Sequence, residues 1–496
     1  MRTPKHRLAR ARLPLVAGAL ILAPGAFACS SSTSAAPGES DLTVHDASVE
    51  DAPTIIPLDA IAPDSSALPA DGTFCSLPGS IVSTPLGEVI MPDGDGLASG
   101  AAPPDLSWLS LPVGFCAHYF ANVPHNRQLR FAPDGDLFGA SPSDGTAGGS
   151  ADVPNSGGIL VLPDDNHDGV ADSTNMFVGV AAVQGMVFAA GNLYFQNDTN
   201  IQMIPFSPGE RALPAEVADA GLLPLFFPLG AGQVMQASGH WPKNLDVAQD
   251  GTFYVTNGSD QNQACESTDP VFGSIFKASS LTEGASTSEV AKGFRNPIAM
   301  RCETNHDVCL AVELSLDGSG DEGGREKIVP VRQGDDWGFP CCATQYTPFS
   351  GAEYQDTGVV VTPSDCAGVS AENVSFEIGH TPFGIDYETG RWPKPWTSRA
   401  FVTLHGDVGT WIGSRIVAIA LDPDTGLPLP ASELDAAATG DNMLSFATGW
   451  DDGMQDHGRP APIAFSTDGR MFIGNDWDGE VFWVAPINLP ATWPAN

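Results

Sequence analysis

Short apolar runs, each ended by a turn rich in Gly, Asp or Asn, recur along most of the chain from Leu106 onward. Within these runs, apolar residues alternate with polar ones or are β-branched, and long amphipathic helical periods are missing. A period of two residues is typical of strands that bury one face, whereas helices repeat their apolar positions every three or four residues. The pattern therefore predicts an all-β domain.

One phrase, a strand followed by a turn and a second strand, occurs six times. The turns lie at Gly135, Gly191, Gly251, His306, Gly390 and Gly469. The first four turns are 55 to 60 residues apart, and the last two intervals are 84 and 79 residues. Because a four-stranded propeller blade takes about 40 to 50 residues plus loops, the phrases predict a six-bladed β-propeller over residues 106–490. The alternative is a β-sandwich whose hairpins match by chance.

The amino terminus has the residue order of a secretory signal. Five Lys or Arg lie within Met1–Arg12, and an apolar run and small residues then lead to Cys29. A Cys that follows Ala28 and precedes several serines resembles the lipidation site of bacterial lipoproteins. Residues 1–28 are thus predicted to be a lipoprotein signal, with Cys29 as the lipidated first residue. Because Phe27 is unusual in such a signal, ordinary cleavage near Ala28 is the alternative.

Two segments separate the signal from the propeller. Residues 29–72 are dominated by Ser, Ala, Pro, Thr and Asp, which predicts a disordered tether, and residues 73–105 form an N-terminal extension. No later apolar run approaches the roughly 20 residues needed to cross a bilayer. We therefore expect an exported protein of the bacterial cell envelope, periplasmic or on the outer surface, held to the membrane by its lipid alone.

The charge of the chain excludes one class of partner. It has 22 Lys and Arg against 60 Asp and Glu, a formal net charge of −38. Removal of the signal makes it more acidic still, because residues 1–28 contain basic residues and no acidic ones. A chain of this charge repels phosphate backbones, so no nucleic acid partner is expected.

The cysteines indicate an oxidising compartment. Of the nine, eight remain after Cys29 is set aside, an even number that predicts disulfides in an exported protein. Cys302 and Cys309 flank a predicted hairpin turn at 304–307 and are the one pair that the sequence favours; the other pairings stay open. Since no Cys-x-x-Cys occurs, a zinc site with thiolate ligands is not expected.

Polar or basic residues stand just before the repeated phrases. They are Arg127, Gln184, His240, Lys243, Arg295, Asn296, His380 and Arg459. In a propeller, the inner strands converge on a central channel, so equivalent positions in successive blades face one mouth. So many cations in a chain with few basic residues predict an anionic ligand there, and chance clustering is the alternative.

Several segments also resemble, in their order, those of the soluble sugar dehydrogenases that use pyrroloquinoline quinone (PQQ), the glucose/sorbosone and pyranose dehydrogenase group. The segments are residues 239–245 (GHWPKNL), 293–297 (GFRNP), 333–340 (QGDDWGFP), 379–384 (GHTPFG), 404–406 (LHG) and 458–460 (GRP). Each alone is weakly specific, but their order and blade spacing are shared over roughly residues 106–486. The resemblance implies the same six-bladed fold.

The resemblance implies an oxidoreductase that converts the C1 hydroxyl of an aldose, pyranose or sorbosone-like sugar to the lactone or acid. Hydride passes to PQQ, and the electrons leave to an acceptor that the sequence does not identify. It implies His240 as the general base, Arg295 as the positive charge beside the quinone, and Asn296 as a hydrogen-bond donor. The cations for the cofactor carboxylates would be Lys243, Arg415 and Arg459, and Arg127 and His380 are further predicted cofactor-binding residues.

The resemblance further implies a calcium ion between cofactor and protein, which requires hard oxygen ligands. Glu313 is the predicted ligand. The chain departs from the family here, because it reads Arg325-Glu326-Lys327-Ile328-Val329 where relatives have an acidic pair followed by Asn. Lys327 is therefore a candidate to replace part of the ion's charge.

A second candidate calcium site lies at Asp164, Asn166 and Asp168, with Asp172 beyond. Their spacing matches the first half of an EF-hand loop, but Asn175 stands where the bidentate Glu should be. An ordinary Asp/Asn/Gly turn is the alternative.

Two other functions stay open. One is a binding propeller that has kept the fold and lost the cofactor, and the departure around Lys327 favours it. The other is a metal-dependent lactonase, which needs carboxylate and Asn ligands at the mouth, where this chain places cations. A pyranose could stack on Trp337, Trp411 or Trp450, although each of these is also suited to the core.

Overall fold

The six repeated phrases form hairpins whose turns lie where the sequence predicts them. In the computed structural model of the protein, the five turn glycines have positive φ, from 73° at Gly191 to 101° at Gly135. In the fourth repeat Asp307 takes this role, with φ of 55°. Glycine enters this region without a Cβ clash, and Asp does so more readily than most residues. Local turn chemistry therefore sets the register of each hairpin.

The structure describes most of the predicted propeller domain. The described residues are 68–91, 104–142, 157–180, 182–197, 200–214, 240, 242–260, 265, 272–278, 286–315, 325–349, 360–407, 409–453 and 457–493. The predicted lipidation site Cys29 lies outside them, as do the signal and most of the tether. None of the helices within the described ranges is long and apolar enough to cross a membrane.

The chain begins with strands that belong to the last blade and then builds the first three blades in order. A 3-10 helix, Phe74–Ser76, precedes β1 (Ile81–Thr84), β2 (Gly87–Ile90) and β3 (Phe115–Asn122). Blade 1 contains β4 (Gln128–Phe131), β5 (Leu137–Ser141), β6 (Gly158–Leu162) and β7 (Asn175–Gly179). Blade 2 contains β8 (Met186–Ala189), β9 (Asn192–Asn197) and β10 (Asn200–Pro205). Blade 3 contains β11 (Leu245–Val247), β12 (Phe253–Asn257), β13 (Ser274–Ala278) and β14 (Thr287–Lys292), with β18 (Asp335–Asp336) added at its edge.

The remaining blades include insertions, which account for the two longer intervals between turns. Blade 4 contains β15 (Asn296–Glu303), β16 (Val308–Leu314), β17 (Glu326–Pro330), β21 (Val374–Phe376) and β25 (Ala431–Ser432). A separate hairpin consists of β19 (Cys342–Thr344) and β20 (Thr347–Pro348). Blade 5 contains β22 (Pro382–Tyr387), β23 (Arg399–Leu404), β24 (Arg415–Ala420) and β26 (Met443–Ala447), and α1 (Ala436–Thr439) and a 3-10 turn (Gly440–Asn442) precede its last strand. Blade 6 contains β27 (Pro460–Phe465), β28 (Met471–Asn475) and β29 (Glu480–Pro486).

The blades close into a ring. The innermost strands contact one another in the order β4, β8, β11, β15, β22 and β27, and β27 contacts β4 again. Blade 6 is completed by the start of the chain, because β29 pairs antiparallel with β3, and β1 and β2 extend the same sheet outward. The predicted extension thus contributes two strands to the last blade. The prediction of a six-bladed β-propeller is confirmed.

Charged side chains from the inner strands meet inside the ring. This channel ionic cluster consists of Arg130, Asp246, Arg301 and Asp386. Arg301 Nε lies 2.7 Å from Asp386 Oδ1, and Asp246 Oδ2 lies 3.2 Å from Arg301 Nη1 and 3.8 Å from Arg130 Nη2. Asp386 Oδ2 also accepts a hydrogen bond from the backbone N–H of Phe465 at 2.8 Å. The cluster therefore ties together the inner strands of five blades.

Four disulfides crosslink the domain. The predicted Cys302–Cys309 bridge is present across the β15–β16 hairpin. The others are Cys75–Cys116, Cys265–Cys341 and Cys342–Cys366. The adjacent Cys341 and Cys342 bond to different partners, so the residue-265 segment, the β19–β20 hairpin and the segment before β21 are joined covalently.

Candidate functional site

The predicted site residues other than the Asp164 loop lie at one rim of the propeller. Consecutive strands of a blade are antiparallel, so the start of the first strand, the end of the second and the start of the third share one edge. The predicted residues that precede or begin first strands are Arg127, His240, Lys243, Arg295, Asn296, His380 and Arg459. Arg415 begins a third strand and reaches the same rim. The rim is built by loops from several blades, and its residues form three groups.

The first group joins His240 and Arg295, which are 55 residues apart in sequence. The backbone N–H of Ser259 donates to the Arg295 carbonyl at 2.7 Å, and the Ser259 carbonyl lies 2.8 Å from His240 Nδ1. Because a carbonyl oxygen only accepts, Nδ1 carries the proton and Nε2 is the basic nitrogen. The approach requires Gly258, since a Cβ there would come within 2.4 Å of His240 Cβ. The loops that carry the two predicted catalytic residues are therefore joined through Ser259, and their catalytic roles stay a prediction.

Buried charges surround this pair. Lys243 is fully buried, and its Nζ lies 3.4 Å from the His240 carbonyl. Glu313 Oε1 accepts the backbone N–H of Arg295 at 2.9 Å, and Glu313 Oε2 lies 3.5 Å from Lys327 Nζ. Burial raises the pKa of Glu313, and Lys327 opposes that shift. The rim beside His240 thus holds a lysine–glutamate pair where the resemblance implies calcium.

Several buried polar atoms in this group lack a hydrogen-bond partner among the described residues. They are Asn244 Oδ1, Asn296 Oδ1, Glu313 Oε2 and Trp337 Nε1. A buried donor or acceptor left unpaired costs about 1–3 kcal/mol, so such atoms concentrate where a ligand completes the hydrogen bonding. Three of the four are oxygens; Glu313 Oε2 faces Lys327 Nζ at 3.5 Å, and the two asparagine oxygens need a donor or a cation.

The second group is an ionic cluster on blades 1, 5 and 6. Asp476 Oδ2 lies 3.2 Å from Arg127 Nη1 and 2.9 Å from His405 Nε2. Arg459 Nε donates to the His405 carbonyl at 2.8 Å. Although burial raises the pKa of Asp476, His405 and Arg127 lower it below its usual range. Burial and the nearby Arg459 lower the pKa of His405 to about 4. At neutral pH this group is therefore two arginines, one carboxylate and a neutral histidine.

His405 makes the stability of the protein depend on pH. Its folded pKa of about 4 lies below the unfolded value of about 6.5, so the unfolded chain binds the extra proton first as pH falls. The contribution is complete above pH of about 6.5 and is lost as pH falls through about 4. As the pH falls from about 6.5 to about 4, we expect the loss of this contribution to lower the free energy of unfolding by about 3 kcal/mol. Urea unfolding at pH 7, 5.5 and 4 measures this, and a His405→Gln variant with the same pH dependence would contradict it.

The third group holds His380 and Arg415. Both contact Glu433, with His380 Nδ1 2.7 Å from Glu433 Oε2 and the Arg415 guanidinium paired to the other carboxylate oxygen. Burial and the neighbouring Arg415 lower the pKa of His380. The charge of Arg415 is thus already compensated by a protein carboxylate. Both residues are brought together at the rim, and their predicted contact with the cofactor stays a prediction.

The Asp164 loop lies at the opposite edge, between β6 and β7. Asn166, Asp168 and Asp172 are engaged within the loop: Asp172 Oδ2 accepts the backbone N–H of Asp165 at 2.6 Å, and Asn166 Oδ1 accepts that of Asp168 at 2.9 Å. Burial raises the pKa of Asp164 to about 7. The described residues contain no group of three or more His, Cys, Asp or Glu side chains arranged to hold a metal ion. Calcium at this loop stays a prediction.

Sequence reasoning missed Ser259, Glu433 and Asp476. Most of the predicted residues precede first strands; of those at or after the ends of second strands, which reach the same rim, only Glu313 and the 404–406 segment were predicted. The signal was present, because Asn257-Gly258-Ser259 and Asn475-Asp476 follow equivalent strands of two repeats. Glu433 follows β25, deep in an insertion without a repeat counterpart, and carried no comparable signal.

Comparison with known proteins places these observations in a family. A family model described as TrAA12-like matches residues 233–486, about half of the chain. This range includes the first and third groups and all of the second except Arg127. No curated protein sequence matches the chain.

Solved structures share the fold at low identity. The calcium structure of the Trichoderma reesei carbohydrate-active enzyme of family AA12 is 16% identical, with a TM-score of 0.58, and covers 76% of this chain and 97% of its own. The holo PQQ domain of pyranose dehydrogenase from Coprinopsis cinerea is 13% identical, with a TM-score of 0.57, over 78% and 98% of the two chains. The apo soluble aldose sugar dehydrogenase from Escherichia coli is 12% identical, with a TM-score of 0.50, over 75% and 99%. These likenesses support the fold, and the predicted family resemblance is confirmed.

Proposed function

The chain belongs to the TrAA12-like family, and on that basis we propose that it is a PQQ-dependent oxidoreductase that oxidises the C1 hydroxyl of an aldose or pyranose to the lactone. The observation that carries the proposal is the link through Ser259, which holds His240 and Arg295 together at the mouth of the channel. A sugar dehydrogenase needs a proton acceptor and a positive charge at one place, and this rim provides both. The pyranose dehydrogenase domain that shares the fold is a holo form with PQQ.

The rim suits PQQ, a flat quinone with three carboxylates. Lys243, Arg295 and Arg459 are buried cations contributed by blades 3, 4 and 6, and burial strengthens their attraction for carboxylates. Asn244, Asn296 and Trp337 present the buried atoms that lack partners among the described residues. When bound, PQQ supplies the acceptor for the hydride that leaves C1.

The protein's own residues handle the proton and the charge. His240 Nε2 is positioned to accept the proton of the C1 hydroxyl, because Ser259 holds the ring with its proton on Nδ1. Arg295 is buried at the same rim, where a guanidinium stabilises negative charge that develops during the reaction. Its backbone N–H is held by Glu313. Position and charge are thus set before the sugar binds.

Calcium belongs to the proposal through Glu313. Its Oε2 atom is a buried carboxylate oxygen that faces the cation Lys327 and makes no closer hydrogen bond among the described residues, and hard cations prefer carboxylate oxygens. Since Ca²⁺ takes six to eight oxygens, an ion there would draw most of its ligands from other oxygens, including those of the cofactor. Lys327 Nζ, 3.5 Å away, supplies positive charge to the same carboxylate.

Reconstitution tests the function. Purified protein is mixed with PQQ, with and without Ca²⁺, and the absorbance spectrum and PQQ affinity are recorded before an aldose panel is assayed with an artificial electron acceptor. We expect PQQ binding and sugar-dependent reduction of the acceptor. A protein that never binds PQQ would favour the binding propeller, and lactone hydrolysis that requires a metal would favour the lactonase.

We further propose that the protein is lipid-anchored through Cys29 in the bacterial cell envelope. Ala28 before this residue and the Ser-rich tether after it support the proposal. The Cys29→Ala variant is expected to leave the membrane fraction, and unchanged fractionation would contradict the anchor. The electron acceptor that such an enzyme uses would have to be reachable from that location.

A further inference from the structure

One large aromatic side chain at the rim is exposed. Trp477 is 51% exposed, although it directly follows Asp476, which is buried in the second group. Its ring lies edge-on against Trp411, with centroids 5.5 Å apart and an interplanar angle of 75°. Trp411 is in turn buried over the guanidinium of Arg459, at 5.0 Å. The exposed ring therefore packs on Trp411, which in turn packs on the cation that we propose for cofactor binding.

The tryptophans that the sequence suggests for stacking are buried and do not expose a ring face. Trp337, Trp411 and Trp450 are 1%, 3% and 0% exposed. Trp450 Nε1 donates to Asn475 Oδ1 at 2.9 Å, a bond typical of a core residue. Trp477 is the tryptophan of the described rim that can present a ring face to a ligand.

The position of Trp477 bears on the size of the substrate. It lies on blade 6, whereas His240 lies on blade 3, and three inner-strand contacts separate these blades in either direction around the ring. The two residues therefore stand on opposite sides of the mouth. A sugar ring stacked on Trp477 is not the ring whose C1 hydroxyl meets His240.

We infer that the substrate is an oligosaccharide, whose reducing-end ring is oxidised at His240 while a following ring stacks on Trp477. This inference rests on the proposed function. A pyranose exposes C–H groups on one face, which pack against an aromatic ring, and its hydroxyls stay in water. An exposed indole costs hydrophobic free energy that such a contact recovers. Trp477 is then a specificity residue for chain length.

Calorimetry with unreactive sugars tests the inference without turnover. The C1 oxygen of a methyl glycoside is blocked, so methyl glucoside can be compared with methyl cellobioside, and methyl xyloside with methyl xylobioside, on the PQQ-loaded protein. We expect the parent to bind a disaccharide more tightly than its monosaccharide. Trp477→Ala should weaken the disaccharide roughly tenfold, the scale of one aromatic contact, and change the monosaccharide less than twofold.

Two further variants separate stacking from a general disturbance of blade 6. Trp477→Phe keeps a ring face and should retain most of the disaccharide affinity. Leu86→Ala removes a fully exposed apolar residue from the β1–β2 turn at the outer edge of the same blade and should change nothing.

The outcomes distinguish this inference from the proposed function. PQQ binding without a preference for disaccharides, or an equal loss for both sugar lengths in Trp477→Ala, overturns the inference alone. Unchanged saccharide binding in Trp477→Ala, together with slower electron transfer to a protein acceptor, also overturns it and assigns the ring to acceptor docking. Failure of the parent to bind PQQ overturns the proposed function and this inference with it.

Discussion

The His240→Asn variant is expected to lose sugar oxidation by at least ~100-fold, the usual scale for loss of a general base, while it binds PQQ almost as the parent does. Asn places an amide N–H near the position of Nδ1, so the bond to the Ser259 carbonyl can be kept while the base is removed. Steady-state turnover and PQQ affinity, measured separately, check this. Recovery of turnover by added imidazole would identify the missing group as a base.

Arg295 gives a different pattern in the same assays. Arg295→Ala removes a buried charge, so both turnover and PQQ affinity should fall, with a loss of about 2–4 kcal/mol in transition-state stabilisation. Arg295→Lys keeps a positive charge, so its turnover and PQQ affinity should lie between those of the parent and those of Arg295→Ala. If His240→Asn oxidised sugars at the parent rate, or if Arg295→Ala left both quantities unchanged, the assigned roles would be wrong.

Disruption of the channel ionic cluster is expected to lower the free energy of unfolding strongly. Asp386→Ala removes the acceptor of Arg301 Nε and of the Phe465 backbone N–H and leaves the partly buried guanidinium of Arg301 with one carboxylate fewer. Removing one partner of a buried pair costs about 3–5 kcal/mol in the free energy of unfolding, and because Arg301 is partly exposed and keeps Asp246, we expect the lower end, about 3 kcal/mol. Urea unfolding near pH 7 measures it.

A matched control and a double variant test the cause. Asp424→Ala changes an exposed Asp in a blade 5 turn and should alter stability by no more than about 0.5 kcal/mol. Replacing Arg301 and Asp386 together by Met and Leu removes both charges and should cost less than Asp386→Ala alone. If the double variant were the less stable of the two, packing rather than charge would carry the effect.

The hairpins could be predicted from the sequence because they depend on local chemistry. A Gly at positive φ between two short apolar runs specifies its own turn in five of the repeats, and Asp307 does so in the fourth, so the six phrases count the blades. The Cys302–Cys309 bridge follows from the same locality, since both residues flank one turn. The pairing of Cys341 with Cys265 and of Cys342 with Cys366 depends on how distant loops meet, and no short-range pattern encodes that.

The site was predictable to the extent that it repeats with the blades. His240 and Arg295 precede equivalent strands, and the structure joins them through Ser259. The neutralisation of Arg415 by Glu433 could not be predicted, because the glutamate comes from an insertion. The lowered pKa of His405 could not be predicted either. It depends mainly on how deeply the imidazole ring is buried, and that burial arises only when the propeller has closed.

The pairing of β3 with β29 also affects the order in which the chain can fold. Strand β3 is synthesised early, but its partner follows about 360 residues later in the sequence, as the pairing of Asn122 with Glu480 shows. Contacts of such long range form slowly, and an unpaired strand edge can meanwhile associate with other chains. The Cys75–Cys116 bridge lies wholly within the early part of the chain, so it can form before the ring closes. If the chain is exported amino terminus first, as its predicted signal implies, this bridge can form in the oxidising compartment and hold β1 against β3, with one edge of β3 covered, before the last blade folds.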